Sequence, residues 1–253
     1  MFNVFDHPLL VLVGSFVIFT ASAWIGFSFR RGHSSGNDGG DDYFSFVLGG
    51  TLTLLGLLIG FTFSMAVGRY DQRKNLEEQE ANAIGTEYVR LDLFPVGDAP
   101  HVRELLRRYL DQRILFYTTR DGRQLQQVDA DAGRLQGEMW SVVARHASAQ
   151  PTPIAALVVT GMNDVLNAQG YTQAAYWNRI PFAAWLLLMA IAVFCNVLVG
   201  YGASAKKASS FLVLPIALSV TLFLIADIES PRGGVIRVHP QNLESAAELL
   251  RPR

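Results

Sequence analysis

The amino-acid sequence predicts an all-α membrane protein: four transmembrane helices with a long helical extramembrane bundle inserted between spans two and three. Three observations carry that expectation. Four uncharged stretches, Pro8–Phe29, Tyr43–Gly68, Ile180–Ala205 and Ala208–Ala226, are long enough to cross a bilayer, whose core of about 30 Å asks for about 20 apolar residues. Charge gathers between the second and third of them: 13 of the 21 Lys and Arg and 14 of the 22 Asp and Glu fall within residues 69–179. That segment repeats its apolar residues every three or four positions, the period of a helix, and lacks the alternation of strands.

The first stretch ends at Arg30-Arg31. Its leader MFNVFDHP carries Asp6 and no Lys or Arg, unlike the positive start of a cleaved signal peptide, so it reads as a retained span. A polar run follows, with His33, Asp38, Asp41 and Asp42 among glycines. Its spacing does not fit the twelve-residue calcium loop, and it reads as a solvated loop. From Tyr43 to Phe94 there is no proline, and past the second span the chain stays rich in helix formers (RKNLEEQEANAIGTEY). One helix of about 50 residues, about 75 Å long, is expected, with a seam of Ala81, Ile84, Tyr88 and Leu91 and a possible bend at Gly85.

Asp98 and Pro100 then signal a new helix start. Val102, Leu105, Leu106, Tyr109 and Leu110 form its apolar face. Asp121-Gly122 marks a turn. Leu125, Val128, Ala132, Leu135, Met139, Val142 and His146 form the next seam, and Pro151-Thr-Pro153 breaks it. Ile154, Leu157, Val158, Met162, Val165 and Leu166 mark one more face before the third span, and Val235–Val238 reads as a short extended piece. The expected organisation is therefore residues 1–68 as spans one and two, 69–179 as the helical bundle, 180–228 as spans three and four, and 229–253 as a C-terminal tail.

Several function classes drop out. Charged residues make up 17% of the chain, against about a quarter in soluble domains. A net charge of −1 lacks the basic face that nucleic acid asks for. Cys195 is alone, which leaves no intramolecular disulfide and no CxxC metal site. No GxxxxGK, HExxH or G-x-S-x-G occurs, and the five histidines are far apart. Ser204-Ala-Lys-Lys207 matches SxxK without the partner motifs of that chemistry. No enzyme is expected, and no catalytic, cofactor or metal residue is assigned.

Two sets of residues stand out. In the second span Gly56, Gly60, Ser64 and Gly68 recur every four positions, with Gly49 and Thr53 above them. Small residues so spaced let helix backbones approach closely. The column therefore serves packing within the subunit, a subunit interface, or the wall of a narrow pore. Asn196 in the third span is expected to bond across helices, as intramembrane amides do, in preference to contacting an ion. The second set lies at the membrane edge: Arg69, Asp71 and Arg73 after span two, Arg179 before span three, and Asp227, Glu229 and Arg232 after span four. These charges either pair to fix helix ends or form a vestibule that selects ions by charge. Asp227 is expected to pair with an arginine of span two, and Glu229 to be the more exposed of the two acids.

Four spans put both termini and residues 69–179 on one side. Arg30, Arg31, Lys206 and Lys207 in the short loops favour those loops inside. That would make the termini and the bundle periplasmic, although Arg69, Arg73 and Lys74 weigh the other way.

Three stretches carry a family resemblance. LLGLLIGFTFSMAVGRYDQRKNLEEQEANAIGTEYVRLDLFP, RIPFAAWLLL at the start of span three, and ADIESPRGGVIRV after span four resemble bacterial membrane proteins of the bestrophin-like domain family, over about residues 45–245. The resemblance implies a multi-pass protein of the bacterial inner membrane and kinship with bestrophins, which are oligomeric anion channels. The expected function is a homo-oligomeric, ion-conducting membrane protein. The alternative is a non-transporting scaffold or sensor whose bundle binds a partner protein.

Overall fold

The computed structural model describes residues 7–32, 38–94, 97–203 and 212–251, and these are helical with no strand among them. Helix α1 spans Pro8–Gly32, α2 Asp38–Arg90, α3 Ala99–Thr118, α4 Gly122–Ala149, α5 Pro153–Trp177, α6 Phe182–Gly202, α7 Val213–Glu229 and α8 Gln241–Leu249. His33 and the Ser204–Lys207 match lie outside the described residues. Asp38, Asp41 and Asp42, expected in a solvated loop, belong instead to the first turns of α2.

Three stretches are long and apolar enough to cross a membrane: Pro8–Phe29, Tyr43–Leu93 and Pro153–Gly202. In the second the uncharged part ends at Arg69, and in the third the apolar part is α6. Helix α7 has 17 residues, about 25 Å at 1.5 Å per residue. The chain separates into two compact units, Met1–Arg69 with Arg179–Arg237, and Tyr70–Asn178 with Val238–Arg253.

In the first unit α1 lies against α6 and α7. Helix α1 begins with Pro8, a residue suited to the first helical position because the amide it lacks would be unpaired there. The α1–α6 contact is made by small residues. A Cβ on Gly26 would meet the Val197 carbonyl oxygen at 2.0 Å, and one on Gly200 would meet the Ala23 carbonyl oxygen at 1.9 Å. Two backbones pass here where nothing larger than hydrogen fits. Near the start of α2, Phe44 packs on Tyr201 of α6, ring centroids 5.5 Å apart.

The second unit surrounds one apolar core. Ile84 of α2, Val102, Leu106 and Tyr109 of α3, Met139 of α4 and Met162 of α5 are fully buried in it. Of the three helix starts announced in the sequence, that of α3 at Asp98 has no side-chain cap, and the other two are capped. Asp121 accepts hydrogen bonds from the Arg123 and Gln124 amides, and Thr152 accepts one from Ala155 ahead of α5, which satisfies amides that a helix leaves unpaired. Ile154 and Leu157, expected on the buried face of α5, are exposed. The core of that helix begins with Ala155 and Val158.

The second unit also takes in the C-terminal segment. Helix α8 has no cap of its own beyond Pro240. Its first turn is capped by Glu77 of α2, which accepts from the Asn242 amide at 2.9 Å, the Leu243 amide at 2.9 Å and the Asn242 side-chain nitrogen at 2.6 Å. Arg107 donates to the Leu250 carbonyl at 2.7 Å, and Leu243 is buried in the core. The stretch Val235–Val238, expected to be extended, forms no strand and leads into this helix.

Candidate functional site

The membrane-edge residues of the first unit form a connected cluster. Pro181 carries no amide hydrogen and biases the residue before it away from helical geometry, so Ile180 lies between α5 and α6 with its amide free to bond. Glu229, the last residue of α7, takes that amide with its Oε2 at 2.9 Å. The same oxygen accepts from Nη1 of Arg69 at 3.2 Å. One carboxylate thus ties together the end of the uncharged part of α2, the approach to α6 and the end of α7. Its other oxygen is buried and meets no donor among the described residues.

Asp227 does something different. Its two oxygens accept from the backbone amides of Val235 and Ile236, each at 2.8 Å. The carboxylate therefore holds the chain as it folds back after Pro231. The expectation that Asp227 pairs with an arginine of span two, with Glu229 the more exposed of the two acids, is corrected. Arg69 pairs with Glu229, and the two acids are alike in burial, 2% and 3% exposed. The reason is geometric. Helix α7 runs on through Glu229, and residues two apart on a helix point about 200° apart, so one acid faces Arg69 and the other faces the returning loop. Gly234 serves close approach here, since a Cβ on it would meet the Asp227 carbonyl oxygen at 2.2 Å. No described glycine has a positive φ.

Of the remaining edge charges, Arg179 and Arg232 are half-buried in the first unit. Asp71 and Arg73 belong to the second, where Asp71 is exposed and Arg73 is buried. Asn196 is fully buried, but its amide nitrogen donates to the Ala192 carbonyl of its own helix at 2.7 Å, and its oxygen finds no donor among the described residues. The expected bond across helices is thus replaced by one within α6.

The small-residue column of α2 has a clear environment. Gly49, Thr53, Gly56, Gly60, Ser64 and Gly68 are all exposed, and a Cβ on Gly49, Gly56, Gly60 or Gly68 would meet nothing within 4 Å. The opposite side of the helix, with Leu55, Thr62 and Ala66, is buried. Only 11% of the apolar window of α2 is buried, against 33% for Pro8–Phe29. Among the described glycines, those that bring two helix backbones together are Gly26 and Gly200. Sequence reasoning passed over these two because they are single glycines on separate helices and form no column.

The polar centre of the second unit was also missed. Glu80 of α2 pairs with Arg113 of α3, and both are fully buried. Tyr117 and Thr172 each donate to Glu80 Oε2 at 3.3 Å, and the Arg113 guanidinium lies 4.3 Å from the Phe116 ring centroid. Burial pushes the Tyr117 hydroxyl up, and neighbouring Glu80 adds to this, so Tyr117 stays a protonated donor. A buried pair of this kind survives because hydrogen bonds satisfy the carboxylate. The one sequence signal was a charge every three residues at Glu77 and Glu80 on the side of the helix that carries Ala81 and Ile84. Among the described residues no group of three or more His, Cys, Asp or Glu is placed to hold a metal ion.

The family model of the Bestrophin-like domain matches residues 13–243. No curated protein sequence matches the chain. Among solved structures, a bacterial bestrophin homologue from Klebsiella pneumoniae is similar at 15% identity and a TM-score of 0.64, covering 96% of this chain and 95% of that one. A single-site variant of that homologue gives a TM-score of 0.65 at 14% identity, with 96% and 97% coverage. A structure described as a membrane protein gives 0.66 at 14% identity, with 96% of each chain covered. At such identities the likeness shows a shared fold, and it agrees with apolar helices long enough to cross a bilayer. The matched family covers nearly the whole sequence, and this membrane protein belongs to the Bestrophin-like domain family.

Proposed function

We propose that the chain is a subunit of a homo-oligomeric ion-conducting membrane protein. In this reading four helices span the bilayer, with α7 as the fourth and residues 69–179 as a helical bundle outside it. One observation carries it: the column Gly49, Thr53, Gly56, Gly60, Ser64 and Gly68 lies open on a long apolar helix and is covered by none of the described residues. Lipid does not call for such a face, because small residues forfeit the contacts that large apolar side chains make. Close helix approach or a narrow water path does call for it. Symmetry-related copies of α2 around a common axis would supply either. Bestrophin kinship favours anions as the conducted species. The arginines at the edge of the first unit, Arg69, Arg179 and Arg232, are of the right sign to gather them, although Glu229 neutralises Arg69.

Purified protein in planar bilayers tests the reading. A conductance whose reversal potential follows the chloride gradient is expected, and it should be lost in Gly60→Leu. Absence of any conductance, together with capture of a soluble partner by residues 69–179, would favour a scaffold or sensor.

For orientation we propose the bacterial inner membrane, with residues 69–179 and both termini periplasmic. An impermeant thiol reagent should then label Ser148→Cys and spare Tyr43→Cys in cells whose outer membrane is permeabilised. The opposite pattern would invert the orientation.

A further inference from the structure

The contact between α2 and α5 in the second unit contains a carboxyl group that has no ordinary reason to be there. Glu87 is fully buried, and neither of its oxygens has a hydrogen-bond partner among the described residues. It lies directly over Gly161 of α5, where an added Cβ would meet Glu87 Oε2 at 1.9 Å and Arg90 Nη1 at 2.3 Å. Gly161 thus leaves room on α5 for two polar tips from α2. The charged groups facing Glu87 are Arg90 from its own helix and Asp164 from α5. Arg90 Nη1 is 3.9 Å from Glu87 and 4.0 Å from Asp164, poised between the two and bonded closely to neither.

A buried carboxylate with no donors is costly, and a carboxyl in that position keeps its proton instead. Here burial pushes Glu87 up to about 8, opposed by Arg90 and helped by Asp164. At 3.9 Å the arginine is beyond hydrogen-bonding range, which is why burial wins.

We propose that Glu87 is a proton-operated latch between α2 and α5. While it is protonated, the neutral side chain sits against Gly161 and leaves Arg90 between the two helices, 4.0 Å from Asp164 of α5 and available to bridge to it. When the proton leaves, the new carboxylate draws Arg90 onto its own helix. The bridge to Asp164 is given up, and the buried charge favours opening of the contact to water. The device works whatever the protein conducts.

The sign follows from linkage. Between the ordinary carboxyl range and about pH 8 the folded chain holds a proton that the unfolded chain has lost, so stability falls as pH rises through that window and levels off above it.

The test uses the full-length protein in detergent micelles or nanodiscs. Difference infrared spectroscopy should show a protonated-carboxyl band at neutral pH that is missing in Glu87→Gln and fades with a midpoint near pH 8. The unfolding temperature of the parent should fall between about pH 5 and about pH 8 relative to Glu87→Gln, whose amide copies the protonated state. Hydrogen exchange in the α5 peptide covering 158–166 should match between the two proteins at low pH and be faster in the parent above about pH 8. A parent without the band, or parallel stability and exchange profiles in the two proteins, would overturn the latch. Should Glu87→Gln fail to assemble, Glu87→Met takes its place, since a site built for a neutral side chain accepts it. Failure of both variants to fold would mean that the charge is required, and that too would overturn the proposal. Gly161→Ala, which fills the seat, is expected to loosen the contact at every pH in the parent and to be tolerated once both tips are removed in Glu87→Ala/Arg90→Ala.

Discussion

Asp227 and Glu229 stand two residues apart and do separate work, because a helix sends their side chains in nearly opposite directions. Asp227 fixes the backbone of the return after α7, and Glu229 joins Arg69 to the Ile180 amide. Hydrogen bonds to charged groups each contribute about 1.5–3 kcal/mol. Asp227→Asn keeps the shape but offers only one acceptor oxygen, and we expect a loss of about 1–3 kcal/mol in thermal unfolding. Glu229→Gln should cost a similar amount, discounted because Arg69 is partly exposed. Asp71→Asn, at an exposed position, should stay within about 0.5 kcal/mol of the parent. Equal, negligible shifts in all three would show that these acids are ordinary border charges. Gly234→Ala drives a Cβ into the Asp227 carbonyl and should cost about 1–3 kcal/mol through overpacking.

Helices α1 and α6 are joined where Gly26 and Gly200 let two backbones touch, so a methyl group there must push the helices apart. Gly26→Ala and Gly200→Ala should each lower the unfolding temperature clearly. Gly60→Ala, whose Cβ meets no described residue within 4 Å, should leave the isolated subunit unaffected. Helix α8 depends on a distant residue for its start, because Pro240 offers no side-chain acceptor and Glu77 takes the amides of its first turn. Glu77→Ala should release the segment after Val238, read as rapid hydrogen exchange and early proteolysis within residues 241–250 while α3 and α4 stay protected. The periodicity of α3 and α4 could be read directly from the chain, since their faces alternate cleanly between core and water. Helix α8 could not, because one buried leucine in nine residues makes no pattern and its cap lies 165 positions away.

For the assembly, the open glycine column makes the sharpest prediction. Gly60→Leu should insert and fold as a subunit, since the position is exposed and a Cβ there meets no described residue within 4 Å. Its oligomer should dissociate or its conductance vanish, as read by native mass spectrometry in mild detergent and by bilayer recording. An unchanged oligomer with unchanged conductance would place that face against lipid. The helical class, three apolar stretches long enough to cross a membrane and the family were legible in the order of residues alone, because hydropathy and 3.6-residue periodicity are local properties of a chain. The long helix of α2 was legible for the same reason, as 50 residues without proline have no local cause to stop. Which acid meets which arginine was not, because Arg69 and Glu229 are 160 positions apart and their pairing depends on where α7 ends. Nor could the chain alone say that Gly26 and Gly200 make the close helix contact while the more conspicuous column stays open. Spacing shows that a backbone can be approached, and only the packed helices show which backbone arrives.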